Sequence, residues 1–325
     1  MRSWLAILLS FSLAGAVWAD DQKKKKDDPS QIGNRGVGKG LNIYSMEKEM
    51  ALGKQLAEEV RRQSKLQDDP LLTEYVNRIC QNLARNSDAM VPITCQLIEG
   101  ETPNAFALPG GFIFVYSGLI KLADEEDELA AAIAHEIAHI AARHMTKQAT
   151  KSAVINAATI PISIILGGGI GGYAIRQGGG LGVAAVFQHF TRSDESEADY
   201  LGVQYMYAAG YDPNGSITIF EKLESLQRQQ PGAISRIFAS HPMDADRIQK
   251  TEKEIARILP DKPEYVVSTS EYRDMRDRLL RIEGRSKSVP AGVHPTLQRR
   301  TQDGKPDDES GKDDRPTLKR RDLIE

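Results

Sequence analysis

The sequence predicts an α+β domain that is mostly helical, with a small β-hairpin region beside one long helix. Apolar residues recur at helical spacing through most of residues 45–285, and a β-type run follows a Pro-Gly-Gly turn at 109–111. The length of 325 residues is enough for one sizeable core. The formal charge of −3 gives no indication of nucleic-acid binding.

The two ends of the chain differ from its middle in composition. Residues 1–19 carry one early cation, a short apolar run and small residues before Ala19, which predicts a cleavable signal peptide and a periplasmic location. An uncleaved anchor is the alternative. Residues 20–44 are charged and rich in glycine, and residues 286–325 mix both charge signs with proline and glycine. These compositions predict a flexible leader and a disordered tail.

Helical spacing begins after the leader. Residues 45–63 and 69–87 both show it, and Asp69 followed by Pro70 is the pattern of an N-cap and a first helical position. The run MVPITCQLIEG, at 90–100, then predicts a strand.

A hairpin is predicted around the Pro-Gly-Gly turn. It is either an ordinary core hairpin or an edge strand beside the long helix, to which an extended peptide could add as a further strand. The residues predicted to form such an edge are Asn104, Gly110, Gly111 and Phe112.

Two further features leave alternatives open. Cys80 and Cys95 could form one disulfide or remain two buried thiols. Residues 152–187 are almost uncharged and contain nine glycines between Gly167 and Gly182. They predict two short apolar helices around a glycine loop, with contact to a membrane surface as the alternative.

The later segments are again helical. Residues 193–210 predict a helix that ends at Gly210, residues 215–230 predict another, and residues 240–259 predict a turn followed by a helix.

The long helix carries the motif HExxH at His135, Glu136 and His139. Histidines four residues apart project from one helix face, so both can hold one metal ion. Imidazole suits zinc, which needs a third protein ligand and an open position for water. Glu136 can take a proton from that water and pass it to a leaving amine. A buried structural histidine pair is the alternative, but such polar groups are costly to bury without partners.

The third ligand must come from elsewhere. The metzincin pattern requires a histidine where Met145 stands, so it does not apply. Glu195 and Asp199 lie one helical turn apart, and Glu195 could bind zinc while Asp199 accepts a hydrogen bond from a ligand histidine. Acidic residues at a helix start also favour the helix dipole, so this pair is informative only beside HExxH.

The motif order N-A-x-x-x-P-G-G, H-E-x-x-H-x-x-x-R-H, E-x-x-x-D and S-H-P resembles the gluzincin peptidases of the BepA/LoiP type. These are periplasmic relatives of HtpX and of the CAAX prenyl proteases, in peptidase family M48. The resemblance covers about residues 45–280. It implies a zincin-like fold, with one Zn²⁺ per chain held by His135, His139 and Glu195 and with Glu136 as the general base.

The resemblance also implies roles for three other residues. His144 would be structural or would orient a ligand. His241, in the S-H-P motif, could occupy the open position of zinc and keep the enzyme latent. Arg247 would anchor the loop of His241 or steady the oxyanion. A buried His-Pro turn without such a role is the alternative.

The implied function is degradation of misfolded envelope proteins during outer-membrane protein assembly. The implied partners are unfolded or misfolded envelope polypeptides and the outer-membrane assembly machinery, although residues 286–325 lack the tetratricopeptide repeats of BepA-type proteins. A chaperone-like quality-control protein with latent or minor proteolytic activity is the first rival function, and the intact Glu136 argues against it. The second rival is a membrane-associated protease acting on lipid-linked substrates, and it depends only on residues 152–187.

Overall fold

The computed structural model describes residues 26–157, 190–229, 241 and 245–288. The predicted signal peptide, residues 158–187 of the apolar segment and the tail beyond residue 288 lie outside this description. The chain divides into a unit that ends at Ile282 and a second unit, Glu283–Glu325, of which only the end of one helix is described.

Two helices precede the sheet, as the sequence predicts. Helix α1 spans Met46–Gln63, and the Ser45 hydroxyl caps it by accepting a hydrogen bond from the Lys48 amide. Helix α2 spans Pro70–Arg85, and Asp69 caps it through the first free amides of the helix. The predicted N-cap of α2 is therefore confirmed.

The sheet has three strands, β1 (Thr94–Ile98), β2 (Ala105–Leu108) and β3 (Phe112–Tyr116). Their order is β1-β3-β2, with β1 parallel and β2 antiparallel to β3. The predicted hairpin is thus present, formed by β2 and β3. Strand β3 is the central strand because β1 pairs with its other side.

The turn between β2 and β3 requires glycine. Gly110 and Gly111 have φ values of 75° and 101°, in the left-handed region that side chains disfavour. A Cβ on Gly110 would also lie 2.5 Å from the Cα of Met50 on α1. The turn therefore packs directly against the backbone of α1.

The two faces of the sheet contribute to different parts of the core. Phe114, Ile98 and Leu108 pack with residues of α1, including Ala57 and Val60. The alternate residues of the strands belong to the main core, together with α2 and the helix that follows the sheet. The sheet is therefore a layer between α1 and the central helices.

Helix α3 (Ser117–Leu122) leads into α4 (Glu126–Ala142), the long helix that carries HExxH. Nearly every residue of α4 is buried, because α2, the sheet and the later helices all pack around it. It ends at Arg143, whose φ of 58° is left-handed, and α5 (His144–Ala157) starts in a new direction. The Arg143 side chain donates to Glu49 on α1 and to the Tyr44 carbonyl, both at 2.7 Å.

The remaining helices are α6 (Arg192–Ala209), α7 (Gly215–Gln229), α8 (Ala245–Ile258) and α9 (Ser270–Ser288). Gly210, with φ 91°, ends α6 as predicted. Helices α3 and α9 are not predicted from the sequence. In the described part of the chain, no helix combines the length and apolar character that a membrane span requires.

The segment before α1 differs from the flexible leader that the sequence predicts. Within residues 26–44, Arg35 and Val37 are buried. The Arg35 guanidinium pairs with Asp88 at 2.8 Å and also bonds Gln204 on α6. The segment is held in place by this buried ion pair. A pattern of helical or strand periodicity does not reveal such a pair, so the sequence predicts a flexible segment.

Cys80 and Cys95 form a disulfide, which decides between the two alternatives left open by the sequence. The bond joins α2 to β1, with Cys80 fully buried in the main core and Cys95 packed against it.

Candidate metal centre

The site lies where α4 and α6 approach each other closely. A Cβ on Gly202 of α6 would lie 3.4 Å from the His135 amide nitrogen, so the two helix backbones are almost in contact there. Ala198, one turn before, is also small and fully buried. This close approach places the side chains of Glu195 and Asp199 against the HExxH face of α4.

Four ligand-type side chains converge at this point. In the described residues, one ligand atom comes from each of His135, His139, Glu195 and His241, and these four atoms all lie within 4.8 Å of one another. All four residues are buried. The three ligands predicted from the sequence therefore come together, and His241 joins them.

The spacing of these atoms fits a tetrahedral metal ion. The Nε2 atoms of His135 and His139 are 3.0 Å apart, and Glu195 oxygens lie 3.4 and 3.5 Å from them. Nδ1 of His241 lies 3.0 Å from Glu195 Oε1 and 3.4 Å from His135 Nε2. Ligands held 2.0–2.1 Å from a tetrahedral zinc ion are roughly 3.3 Å apart, so these residues fit such an ion.

Charge supports the same conclusion. Glu136, Glu195 and Asp199 supply three carboxylates to the buried site, whereas Arg247 supplies one permanent cation. Oε2 of Glu195 lies 2.8 Å from the Arg247 guanidinium but has no hydrogen-bond partner. A buried carboxylate oxygen in this state suits a divalent cation.

The ionisation of the ligands is shifted by their surroundings. Burial alone would raise the pKa of Glu195, but the charge and hydrogen bonds of the three histidines hold it well below its ordinary value. Burial would lower the pKa of His135, yet its contacts with Asp199 and Glu195 raise it to about 10. The pKa of His139 is lowered, chiefly by burial. The carboxylate form of Glu195 is therefore strongly favoured.

Asp199 and Arg247 form a support behind the ligands. Asp199 Oδ1 lies 3.0 Å from His135 Nδ1, the position expected for a carboxylate that orients a ligand histidine. Arg247 from α8 grips both Asp199 oxygens, at 2.7 and 2.8 Å. The structure thus brings Arg247 to the carboxylates of α6, where it fixes both Asp199 and Glu195.

Glu136 lies beside the ligands and contacts the sheet. Its Oε2 accepts a hydrogen bond from the Ala107 amide of β2 at 2.8 Å. Its Oε1 lies 3.5 Å from His241 Nε2. Burial raises the pKa of Glu136, more than the nearby His241 and His135 lower it.

The predicted edge strand is only partly in place. Phe112 is on the central strand β3, and Gly110 and Gly111 form the turn packed on α1, so these three residues do not form an edge. Asn104 directly precedes β2, which is the outer strand nearest the site. The sequence predicts the hairpin but contains no sign that β1 pairs with the other side of β3. The prediction of Phe112 as an edge residue is therefore wrong, and β2 is the edge strand.

The outer edge of β2 is open within the described residues. The Asn104 carbonyl accepts from the Tyr116 amide of β3, so residues 104, 106 and 108 face β3. The backbone groups of Ala105 and Ala107 therefore point away from β3, toward the side where Glu136 lies.

The other side of the metal centre contains His144, which the resemblance assigns a structural or orienting role, and two residues that the sequence did not single out, Glu197 and Phe190. Nδ1 of His144 lies 2.9 Å from Nδ1 of His139, and Nε2 of His144 lies 3.3 Å from Glu197 Oε2. The hydrogen bond with His144 lowers the pKa of Glu197. The Phe190 ring stacks on His139 with 3.9 Å between centroids. Glu197 lies between Glu195 and Asp199 in the sequence, and it faces His144 at the start of α5.

Comparison with known proteins gives consistent results. A family model described as Peptidase family M48 matches residues 70–255. A beta-barrel assembly-enhancing protease of Yersinia pestis is 28% identical over 257 residues, which are 77% of this chain and 51% of that protein. The metalloprotease LoiP of Escherichia coli is 32% identical over 55% of this chain and 70% of its own length.

A mitochondrial relative is also similar. The metalloendopeptidase OMA1 of Schizosaccharomyces pombe is 34% identical over 56% of this chain and 52% of its own length. The chain spans about half the length of the beta-barrel assembly-enhancing proteases that it matches.

Proposed function

Since the chain belongs to peptidase family M48, we propose that it is a zinc-dependent endopeptidase. One observation carries the proposal. The four converging ligand atoms lie beside a buried glutamate that is hydrogen-bonded to the open edge of a β-strand. This arrangement combines a metal site, a base and a surface for an extended polypeptide.

Each residue has a defined task in this proposal. His135, His139 and Glu195 hold zinc, and Asp199 orients His135. Zinc, when bound, polarises the carbonyl of the scissile peptide and makes water more acidic. The base is Glu136, whose raised pKa brings proton transfer closer to neutral pH.

The proton follows one path through Glu136. Oε2 is held by the Ala107 amide, so Oε1 is the oxygen that accepts a proton from the attacking water. The water oxygen bonds to the carbonyl carbon, the C–N bond breaks, and Oε1 passes the proton to the leaving amine. The second proton of the water leaves the new carboxyl group for the amine, so the products are a carboxylate and an ammonium group, and Glu136 returns to its starting form.

The substrate would lie along β2. The backbone groups of Ala105 and the Ala107 carbonyl can pair with an extended peptide, as in other cases of β-strand addition, whereas the Ala107 amide is held by Glu136. Such pairing reads the backbone and tolerates many side chains, which suits unfolded polypeptides as substrates. Of the predicted edge residues, only Asn104 adjoins this edge, as the residue directly before Ala105, and its own carbonyl is bonded to β3.

The decisive test compares the purified protein with Glu136→Gln on unfolded casein, with zinc content measured on both. Gln keeps the shape of Glu136 but cannot accept the proton, so cleavage should fall by about 10²-fold or more while zinc stays near one per chain. Glu58→Gln, on the exposed surface of α1, is the control for loss of a carboxylate and should cleave like wild type.

Two results would count against the proposal. Absence of zinc from the wild type would refute the metal site. Equal cleavage by wild type and Glu136→Gln would show that another group is the base. If both proteins bind zinc and neither cleaves, latency and the chaperone-like function are the explanations that remain, and a further variant separates them.

That variant is His241→Ala, because His241 completes the ligand set. A tetrahedral ion with four protein ligands has no position for water, whereas a catalytic zinc keeps one open. We propose that His241 holds the enzyme latent, so His241→Ala should raise casein cleavage while zinc stays bound. Loss of cleavage by a folded variant would instead mark His241 as part of the reaction. Continued inactivity with zinc bound would favour the chaperone-like function.

We further propose a periplasmic location and a role in quality control of envelope proteins. The predicted signal peptide and the Cys80–Cys95 disulfide support an oxidising compartment. Relatives named beta-barrel assembly-enhancing protease support misfolded or unassembled outer-membrane proteins as substrates and the assembly machinery as a partner. Fractionation of cells that express the chain, followed by comparison of outer-membrane protein levels with and without Glu136→Gln, would test both statements.

A further inference from the structure

The two histidines of HExxH are supported in different ways. His135 faces a carboxylate directly, since its Nδ1 lies 3.0 Å from Asp199. Among the described residues, the partner of His139 Nδ1 is a ring nitrogen and not a carboxylate, since Nδ1 of His144 lies 2.9 Å away. Two ring nitrogens at this distance form a hydrogen bond only if one carries a proton and the other accepts it.

The direction of this hydrogen bond follows from the metal site. Nε2 of His139 points to the other ligand atoms, so its lone pair is used there. The proton of the neutral His139 ring must then be on Nδ1, which donates to His144 Nδ1. His144 can accept only if its own proton is on Nε2.

Glu197 is placed to select that form of His144. Its Oε2 lies 3.3 Å from His144 Nε2, and a carboxylate accepts but does not donate. Both histidine side chains are almost fully buried, with 0% and 1% exposure, so water does not compete for these nitrogens. The carboxylate thus favours the tautomer of His144 that leaves Nδ1 free to accept.

We propose that Glu197 is a positioning residue for zinc, acting through His144 to fix the ring and tautomer of the ligand His139. The proposal rests on the zinc site of the proposed function and assigns it a second carboxylate support, from the same helix as Glu195 and Asp199. A carboxylate behind a ligand histidine raises the basicity of the metal-bound nitrogen, and loss of such partners commonly costs 10–100-fold in metal affinity.

The surface charge next to Glu197 has a smaller role. Lys26 Nζ lies 3.8 Å from Glu197 Oε1, and both side chains are well exposed, at 45% and 37%. Ion pairs of this kind contribute little. Lys26→Met is therefore a variant that touches Glu197 without removing its hydrogen bond to His144.

The experiment measures the zinc dissociation constant of the metal-free full chain by competition with a chromophoric chelator. Glu197→Gln keeps the size of the side chain and an acceptor oxygen but removes the charge that makes the two histidines more basic, so it should weaken zinc binding about tenfold, whereas His144→Leu, which removes the acceptor for His139, should weaken it about a hundredfold. His144→Gln should bind more tightly than His144→Leu, because its amide oxygen can accept from His139 Nδ1. Lys26→Met and Glu58→Gln should stay within about twofold of wild type.

A second readout separates positioning from a general loss of structure. The visible absorption bands of the Co²⁺-loaded protein report the ligand geometry, and they should shift in Glu197→Gln and His144→Leu. The unfolding midpoint of metal-free Glu197→Gln should equal that of the metal-free wild type, since the side chain is partly exposed.

The outcomes distinguish the inference from the proposed function. Zinc binding and Co²⁺ bands that are unchanged in Glu197→Gln, with a wild type that binds zinc, would overturn the role of Glu197 alone. A wild type that binds no zinc would overturn the proposed function and this inference with it.

Discussion

Replacement of Arg35 by methionine tests whether the segment before α1 is part of the fold. The Arg35 side chain has 0% exposure and Asp88 has 4%, so the pair is buried from water. Arg35 Nη2 and Nε lie 2.8 and 3.2 Å from Asp88 Oδ2, and Nη1 donates to the Lys26 carbonyl at 2.7 Å. Nη1 also bonds the amide oxygen of Gln204 on α6.

The magnitude follows from what Arg35→Met leaves behind. Breaking a buried ion pair by removing one partner costs about 3–5 kcal/mol, because the other charge stays buried. Asp88 keeps two neutral donors, the Gly33 amide at 2.7 Å and the Tyr205 hydroxyl at 2.9 Å, which places the cost near the lower limit of about 3 kcal/mol. For a domain of this size that corresponds to a fall of about 6–12 °C in Tm.

The assay is thermal unfolding followed by circular dichroism, with urea unfolding as a second measurement. Arg62→Met is the matched control, since Arg62 is 66% exposed and pairs with Glu59 on its own helix. It should change Tm by about 2 °C or less. The double variant Arg35→Met with Asp88→Leu should be more stable than Arg35→Met alone, because no buried charge remains. A Tm of Arg35→Met within 2 °C of that of Arg62→Met would refute the argument and would support the prediction of a flexible leader.

Three further predictions concern other parts of the chain. Burial, with the charges of neighbouring acids, raises the pKa of Asp127 from 3.8 to about 7, so the folded state binds this proton more tightly than the unfolded state. The stability that this group contributes is therefore lost as pH rises from about 4 to 7. Asp127→Asn should remove that loss and be more stable than wild type at pH 8. Unfolding midpoints of both proteins at pH 4 and pH 8 would measure this. Gly202→Ala should keep zinc and Tm, because its Cβ would meet His135 at an ordinary 3.4 Å, whereas Gly202→Leu should separate α4 from α6 and lose zinc. Replacement of Cys80 and Cys95 by alanine should destabilise the fold by about 3 kcal/mol in urea unfolding, as expected for a separation of 15 residues; an unchanged midpoint would contradict this.

Local patterns in the sequence predicted the parts of the site that lie within one helix. The spacing of His135 and His139 and that of Glu195 and Asp199 fix which side chains share a helix face, and the structure brings both pairs to one point. The caps at Asp69 and Gly210 are equally local and are confirmed.

The missed features depend on contacts between distant segments. Arg35 finds its partner Asp88 more than fifty residues away, so neither residue is informative by itself. Glu197 faces His144 only because α5 leaves Arg143 in a new direction. The prediction of Phe112 as an edge residue is wrong because the order of the strands depends on the pairing of β1 with β3, and a hairpin pattern does not contain that information.

Because the Ala107 amide donates a hydrogen bond to Glu136, the length of the hairpin determines where the base is held. In an antiparallel pair, a shift of one residue turns every backbone group to the opposite side. Lengthening the tight turn at Gly110 by one residue would let β2 slide in this way, so that the amide now aimed at Glu136 would face β3 instead. The slide would also exchange the two faces of β2, so that Phe106 and Leu108 would turn away from α1, and Glu136 would lose its anchor. The length of this buried turn therefore sets where the base stands, although the turn itself takes no part in the reaction.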